Sequence, residues 1–329
     1  MFRKSRLVLK YLKNKWFGLA IGFYLISGIY LLYITYSTPF LNIELEKIND
    51  NWTITDSYYK NWASKHKIVP GDIVLYVDNV KISNLSYISF DSAIRAAKEI
   101  TIQKSDGRIV SIQIKNLDIP QQFYYLLIIP ACYYFLTLFI TIYLYSKRIN
   151  QKLTNLLILF ILSVSLAYVS IGASGRLDNI GMIINRSSLL LCLVILLLFL
   201  KEYFLFLDIK WLFLKNIRNF FVLPFLAVAM SVFSIFYPSI NPILSELILW
   251  LFFLLILLNL GILIVGFFKY KSSHLKLLLM SIIIPFLPFL FLYALPQIFV
   301  NEQLLSADIC SLFLLLIPFS FIFTQLTER

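Results

Sequence analysis

Charged residues are scarce in this chain: only 14% of its 329 residues are Asp, Glu, Lys or Arg, whereas 60% are hydrophobic. The mean hydropathy is +0.83. A soluble fold of this length has too little interior to hide that much apolar surface. The composition therefore excludes a soluble fold and indicates a protein whose main solvent is lipid.

Histidine and cysteine are also scarce, with two and three copies respectively. The chain has no Cys–His cluster and no His-Glu-x-x-His motif, so we predict neither a metal site nor a cofactor. His66 and His274 are interpreted as solvated residues. Cys132, Cys192 and Cys310 all lie in apolar runs and are interpreted as packing residues, not as disulfide partners.

Long apolar runs are the most abundant feature. A helix needs about 20 apolar residues to cross a bilayer, and eight runs qualify: 17–36, 123–145, 153–171, 183–200, 220–237, 247–268, 277–300 and 309–326. The first run has no small-residue cleavage site behind it, which favours an anchor over a removable signal peptide. The predicted fold class is an α-helical polytopic membrane protein in which 123–326 form a seven-helix bundle.

The placement of basic residues predicts the orientation, because short loops rich in Lys and Arg stay in the cytoplasm. The N-terminal segment 1–16 is basic and contains no acid. Further basic residues follow the second, fourth and sixth spans, whereas the alternate loops are poor in them. We therefore predict a bacterial plasma-membrane protein with both termini in the cytoplasm. The net charge of +12 then reflects topology and contact with anionic lipid, not nucleic-acid binding.

Residues 41–120 are polar and are predicted to form a small folded domain on the extracytoplasmic side. A Pro70-Gly71-Asp72 turn precedes an alternating strand at 73–77. Two alternating runs, 100–104 and 109–114, flank Asp106-Gly107 and predict a hairpin. Between the strand at 73–77 and this hairpin, residues 90–100 have the spacing of a helix with Asp91 as its N-cap.

This order of elements resembles the late portion of a PDZ domain. The resemblance covers about residues 52–115 and depends on Gly71-Asp72 together with Val77-Asp78-Asn79. PDZ domains bind an extended peptide by adding it as a strand to a sheet edge. The segment 57–64 shows no typical carboxylate-binding loop, so a rigid spacer is the alternative to a peptide-binding domain.

As a whole, one span, a PDZ-like domain and seven further spans resemble the N-terminal sensor region of competence-type (ComP-type) quorum-sensing histidine kinases of Gram-positive bacteria. The matching segments are 69–75, Leu166-Ala167-Tyr168-Val169-Ser170-Ile171-Gly172-Ala173 and Ile183-Ile184-Asn185-Arg186. The resemblance implies sensing of a secreted peptide pheromone that carries an isoprenyl group on tryptophan, and signalling to a cytoplasmic kinase module. Further expected partners are a full-length receptor, membrane lipids and a second copy of the chain.

No kinase module is expected within these 329 residues, since the sequence given ends shortly after the last predicted span. We therefore predict that this chain is not itself an enzyme. Gly172-Ala173-Ser174-Gly175 does resemble the serine motif of rhomboid proteases, but that chemistry needs a base beside the serine. The predicted topology places His274 on the opposite side of the bilayer from Ser174.

The segment 172–186 is the predicted ligand site, together with the outer loops 237–245 and 301–308. Its glycines are expected to make it permissive, and its side chains mix polar and apolar character, which suits a lipidated peptide. The candidate ligand-binding residues are Ser174, Arg176, Asp178, Ile180, Met182, Asn185 and Arg186. The alternative is that the two arginines only anchor helix ends at lipid headgroups.

The last two predicted spans contain prolines, which favour kinks and hinges. We predict a signalling hinge formed by Pro285, Pro288, Pro296 and Pro318.

Two other functions remain as alternatives. A transporter or channel would carry ionisable groups within its spans, where this chain has almost none. A scaffold without a kinase would bind the pheromone and give no output of its own.

Overall fold

The computed structural model describes residues 2–146, 151–207, 212–271 and 273–300, together with 304, 305, 313 and 316. The helices are α1 (Phe2–Ser37), α2 (Lys60–Lys65), α3 (Ile88–Asp91), α4 (Pro120–Gln122), α5 (Ile129–Ser146), α6 (Gln151–Gly175), α7 (Asn179–Phe206), α8 (Val222–Phe236), α9 (Asn241–Tyr270), α10 (Ser273–Phe289) and α11 (Leu295–Phe299). The strands are β1 (Phe40–Ile48), β2 (Asn51–Ser57), β3 (Ile73–Val77), β4 (Val80–Lys81), β5 (Ala93–Ala96), β6 (Glu99–Gln103) and β7 (Ile109–Gln113). We call residues 40–118 the module and the remaining long helices the bundle.

Within the described residues, seven helical segments are long and apolar enough to cross a membrane. They are Gly18–Ser37, Pro120–Ser146, Gln151–Gly175, Asn179–Phe206, Ile217–Phe236, Pro238–Tyr270 and Leu278–Phe299. The protein is therefore a multi-pass membrane protein that carries a small antiparallel sheet. The eighth predicted span, 309–326, lies outside the described residues.

Helix α6 is at the centre of the bundle, where it packs against α1, α5 and α7; α7 in turn packs against α8 and α9, and α9 against α10. A buried polar cluster joins the first three of these helices. The Tyr24 hydroxyl of α1 lies 2.7 Å from Thr137 Oγ1 of α5 and 2.8 Å from Ser165 Oγ of α6. Such bonds hold helices together in lipid, where no hydrophobic force draws them to one another.

The module is a seven-stranded antiparallel sheet with the order β5-β1-β2-β3-β6-β7, and β4 pairs with β3. Its core contains Ile43, Ile54, Val74, Ile100 and Ile102, all at most 2% exposed. These residues come from consecutive strands of the sheet, so the sheet encloses a hydrophobic core of its own, separate from that of the bundle.

Two predicted elements of the module are confirmed. Strands β6 and β7 form the expected hairpin, in which Ile100 pairs with Ile112 and Gln103 with Ile109, and Gly107 supplies the positive φ of 84° in the turn. Strand β3 also lies where it was predicted. Its register against β6 shifts between Val74 and Tyr76, so the buried residues are Val74 and Val77 and not every second residue.

The predicted helix over 90–100 is wrong. The helix α3 covers only Ile88–Asp91, because Ser92 has a left-handed conformation with φ 49° and ends it. The following residues form β5, which pairs with β1 and buries Ile94 completely. Alanine has a high helix propensity, but intrinsic propensity is a weak determinant beside tertiary contacts, and pairing with β1 overrides it here.

Sequence inspection also missed the hairpin of β1 and β2. Asn49 and Asp50 both have positive φ, 48° and 65°, as a two-residue turn between twisted strands requires. Asn-Asp is one of the residue pairs that adopt this conformation readily, so the signal was present.

Prolines interrupt the helices at the end of the described bundle. Pro285 and Pro288 lie inside α10, and a π-helical turn (Leu290–Ala294) separates α10 from α11. Pro296 lacks the N–H that would bond to the Leu292 carbonyl, and that carbonyl instead accepts from the Leu305 amide at 3.1 Å. These three residues of the predicted hinge therefore lie at an irregular part of the helix. Pro318 lies outside the described residues.

Candidate ligand site at the module end of the bundle

The turn between α6 and α7 lies at the end of the bundle nearest the module and consists of Arg176, Leu177 and Asp178. Asp178 is the N-cap of α7, and its Oδ2 accepts a hydrogen bond from the Gly181 amide at 2.6 Å. This bond satisfies one of the free N–H groups at the helix start. Its Oδ1 accepts from the Tyr30 hydroxyl of α1 at 2.9 Å. Asp178 thus attaches the start of α7 to α1.

Two of the three glycines of 172–186, Gly172 and Gly181, serve close packing, which corrects the expectation of a permissive loop. Gly172 lies inside α6 and Gly181 in the first turn of α7, and neither has a positive φ. A Cβ atom at Gly172 would come within 2.6 Å of Thr35 Oγ1, and one at Gly181 within 2.7 Å of Ala173 Cβ. Glycine is needed at both positions because the helix backbones approach each other closely.

Arg176 joins the bundle to the module. Its Nε donates to the Thr38 carbonyl at 2.5 Å, one terminal nitrogen to the Gly172 carbonyl at 2.6 Å and the other to Gln122 Oε1 at 3.2 Å. The guanidinium also lies over the Phe40 ring, 5.8 Å from its centroid. Burial lowers the pKa of Arg176 from its ordinary value to about 10, so the group stays charged at neutral pH.

Gln122 connects the bundle to the other end of the module, where the chain leaves the sheet and enters the second span. It is only 2% exposed, and its Oε1 also accepts from the Phe40 amide at 2.6 Å, where β1 begins. Its Nε2 donates to Asn116 Oδ1 at 2.7 Å, and Asn116 in turn donates to the Tyr36 carbonyl of α1. Both chain connections of the module are therefore fastened to the bundle by side chains. We call the group Thr38, Phe40, Asn116, Gln122 and Arg176 the joint.

Asn185 faces α6. Its Nδ2 donates to the Ala167 carbonyl at 3.0 Å and to Ser170 Oγ at 3.1 Å. Because both bonds are internal, a ligand that contacted this amide group would have to break them.

Arg186 faces α9. It is 6% exposed, and both terminal nitrogens donate to Asn241 Oδ1 at 3.1 Å, while one of them also donates to Ser245 Oγ at 2.9 Å. In the described part of the chain, no carboxylate lies within 4.0 Å of this guanidinium.

The other predicted ligand-binding residues are divided between surface and interior. Ile180 is 48% exposed, Met182 is buried at 7%, and Ser174 is half-buried in the last turn of α6. The structure thus brings Ser174, Arg176 and Asp178 together at one turn. Arg186 lies about 10 Å further along α7, since a helix rises 1.5 Å per residue.

Sequence inspection did not single out Gln122, Asn241 or Ser245. Asn241 and Ser245 lie within the predicted outer loop 237–245, but both belong to α9 and only its packing against α7 brings them to Arg186. Gln122 lies two residues after Pro120 at the entrance to a span, where a buried amide is a signal that could have been noticed.

Neither histidine lies at this site. The His66 ring packs against Trp62 inside the module, with ring centroids 5.0 Å apart. His274 is the second residue of α10, which begins at the end of the bundle far from the module. Among the described residues, no group of His, Cys, Asp and Glu could hold a metal ion.

Comparison with known proteins gives one informative match. The chain is similar to the sensor histidine kinase ComP of Bacillus subtilis (strain 168), with 26% identity over 340 residues. The alignment covers 97% of this chain but only 42% of that protein, so the chain spans about two fifths of its relative's length. No family model matches the chain, and no solved structure matches it.

Proposed function

We propose that this chain is the membrane sensor region of a quorum-sensing receptor. It recognises a secreted, isoprenylated peptide pheromone and signals to a cytoplasmic kinase module. The observation that carries the proposal is the similarity to a sensor histidine kinase over 97% of the chain, since that similarity includes both the module and the bundle.

The proposal places the module outside the cell and the basic ends of the helices inside. At the end of the bundle far from the module, Lys152, Lys269 and Lys271 lie at or next to helix ends, and Lys201 lies five residues before the end of α7. At the module end, the two arginines Arg176 and Arg186 are occupied by hydrogen bonds within the protein. This asymmetry supports a cytoplasmic location for both termini.

The module is proposed to be PDZ-like. The turn at Gly71 has the positive φ of 96° that glycine provides, and antiparallel strands follow it. Strand β7 is at one end of the sheet, so its outer edge offers a position where an extended peptide can add as a strand. The rigid-spacer alternative predicts that blocking this edge leaves the response unchanged.

Of the predicted ligand-binding residues, Ser174, Arg176 and Asp178 lie at the turn where a peptide held between module and bundle would meet both. Ile180 is exposed there and can contact an isoprenyl chain, for which each buried CH₂ contributes about 0.8 kcal/mol. A ligand that altered the hydrogen bonds of Arg176 or Asp178 would shift the module or α1 relative to α7. Such a shift is the proposed first step of signalling.

The signal is proposed to leave through the last spans. The π-helical turn between α10 and α11 and the three prolines around it give a helix that can change its bend with little loss of hydrogen bonding. Replacing Pro318 with Ala in a kinase-fused chain should alter the ligand response. An unaltered response would remove the support for a hinge at that residue.

The test is to fuse this chain to the cytoplasmic kinase module of its relative and to place it in membrane vesicles with the module side accessible. Autophosphorylation should rise when conditioned medium from pheromone-secreting cells is added, and medium from a secretion-deficient strain should have no effect. Binding without a rise would indicate a scaffold, and solute flux without any kinase would indicate a transporter. Either result would overturn the proposal.

A further inference from the structure

We infer that Arg186, Asn241 and Ser245 form a subsite for a carboxylate of the peptide ligand, between α7 and α9. This inference deepens the proposed function and rests on it, since a secreted peptide is the ligand which that function supplies. Asn241 and Ser245 lie in the predicted outer loop 237–245, but the sequence assigned neither of them a ligand group.

Arg186 has no carboxylate partner among the described residues. A buried guanidinium is costly unless an opposite charge offsets the loss of hydration, and charged groups kept within membrane helices generally have a use. Arg186 is 6% exposed, yet its described partners, an amide oxygen and a hydroxyl, are neutral. An anion bound beside it would supply the charge that these partners lack.

Arg176 shows how a structural arginine looks in the same protein. All three of its nitrogens donate to acceptors, which come from the linker, from α6 and from the entrance to the second span. In Arg186, only the two terminal nitrogens have acceptors among the described residues, and all of these belong to α9. The hydrogen bonds of Arg186 therefore join only α7 and α9, two helices that already pack against each other.

The geometry in front of Arg186 suits a carboxylate. Both terminal nitrogens point at the same oxygen, Asn241 Oδ1, each at 3.1 Å. A carboxylate has two oxygens that match this fork, so it forms two parallel charge-assisted bonds where the amide offers one shared acceptor. Rotation of the Asn241 side chain would move its Oδ1 away from the two terminal nitrogens of Arg186 and leave that position to the anion. The Asn241 NH₂ group could then donate to the incoming anion.

The position also favours negative charge and allows entry. Asn241 is the first residue of α9, and the start of a helix carries partial positive charge, which adds to that of Arg186. Ser245 is exposed whereas Arg186 is buried, so a ligand can approach past the serine. A carboxylate on a soluble peptide can approach past the exposed serine, whereas a lipid phosphate is esterified to a diacylglycerol whose acyl chains stay in the bilayer.

The inference is tested on the full chain in nanodiscs of phosphatidylcholine alone, with a matched probe pair. N-acetyl-tryptophan has a free carboxylate and N-acetyl-tryptophanamide does not. Thermal unfolding is followed as each is titrated, because a ligand of the folded state raises the midpoint. We expect the carboxylate to bind at least about tenfold more tightly than the amide, as the loss of a charge-assisted bond implies.

Variants locate the effect. Arg186→Gln should abolish the preference for the carboxylate, whereas Arg218→Gln, the same change at an exposed position, should retain it. If Arg186→Gln fails to fold, Asn241→Ala provides the second variant, and the comparison of the two probes on the unchanged chain needs no variant at all. Equal binding of the two probes, no binding of either, or a preference that survives Arg186→Gln would each overturn the inference.

Two further arms identify other sources of the negative charge. If the preference appears in phosphatidylcholine but is lost when phosphatidylglycerol is included, a lipid phosphate occupies the subsite and the inference is overturned. If it appears only after Glu302→Gln or Asp308→Asn, a carboxylate of the chain itself is the occupant, with the same consequence. None of these readouts uses the kinase, so a failed kinase response with intact carboxylate preference would overturn the proposed function alone.

Discussion

Arginine has two uses at the module end of the bundle, and the difference depends on what surrounds each guanidinium. Arg176 lies where three chain segments meet, and its carbonyl and amide partners come from all of them. Arg186 lies between two helices and contacts one. The first arrangement fixes the module on the bundle, and the second leaves binding capacity for an anion.

Replacing Arg176 with Gln should loosen the joint. The change leaves buried acceptors at Thr38 and Gly172 without their donor, which typically costs about 1–3 kcal/mol. Backbone amides near the joint, such as that of Phe40, should exchange with deuterium faster in the full chain. Arg108→Gln is the matched control, since Arg108 lies on the exposed hairpin and pairs only with neighbouring Asp106. Unchanged exchange near Phe40 would show that Arg176 does not hold the module.

Replacing Asp72 with Asn should destabilise the module. Asp72 is fully buried and pairs with Lys104 at 2.8 Å, and its Oδ2 also accepts from the Val69 amide at 3.0 Å. Removing one partner of a buried pair leaves the other charge uncompensated, at a cost of about 3–5 kcal/mol. Denaturant unfolding of the full chain, followed by exchange of the β3 amides, measures this effect.

Two further variants test the mechanism at Asp72. Combining Asp72→Asn with Lys104→Met should recover part of the loss, because no buried charge is then left alone. Asp106→Asn removes an exposed ion pair and should have no measurable effect. A single variant as stable as the unchanged chain would contradict the role assigned to this pair.

At the residue scale, the sequence identifies the polar side chains of 172–186 but not their partners. Asp178 stands directly before a run of helical residues, so its N-cap role is readable from local pattern. The pairing of Arg186 with Asn241 depends on how α7 and α9 pack, and residues 55 positions apart carry no local signal of that contact.

At the scale of helices, small residues determine how closely the spans pack. Gly28 of α1 faces Tyr134 of α5, and a Cβ at this position would come within 2.1 Å of the tyrosine ring. That ring in turn stacks on Tyr24, with centroids 4.7 Å apart. The polar cluster of Tyr24, Thr137 and Ser165 therefore depends on the absence of a side chain at Gly28.

Replacing Gly28 with Leu should separate α1 from α5. Overpacking of this kind typically costs about 1–3 kcal/mol, so the thermal midpoint in nanodiscs should fall. Gly22→Leu is the matched control on the same helix, because nothing lies within 4 Å of a Cβ built there. Equal midpoints for the two variants would show that the α1–α5 contact contributes little to stability.

Elements defined by local signals were predicted well, and those defined by pairing were not. The seven described spans follow from hydropathy, and the β6–β7 hairpin follows from Asp106-Gly107. Segment 90–100 looked helical because Ala and charged residues recur at helical spacing, whereas the unpaired edge of β1 draws Ala93–Ala96 into the sheet. The shift in β3 between Val74 and Tyr76 likewise concerns the pairing with β6, which a strand's own alternation does not reveal.

The whole molecule combines a compact sheet with a helical bundle, and a joint of buried polar side chains connects them. That design suits a receptor, since a ligand that contacts the module, α1 or α7 acts on parts already connected by hydrogen bonds. The polar groups inside the bundle mainly link helices, as Asn259 of α9 does by donating to the Leu193 carbonyl of α7 at 3.3 Å. They form no charged pathway among the described residues.

The sidedness of the module tests this account most directly. In a chain whose three cysteines are replaced, a single Cys is placed at Lys81, which is exposed on the module, or at Lys269, which is exposed at the far end of α9. A membrane-impermeant maleimide should label Lys81→Cys in intact cells and Lys269→Cys only after permeabilisation. Labelling of Lys269→Cys but not Lys81→Cys in intact cells would place the module in the cytoplasm and contradict the sensing of a secreted peptide.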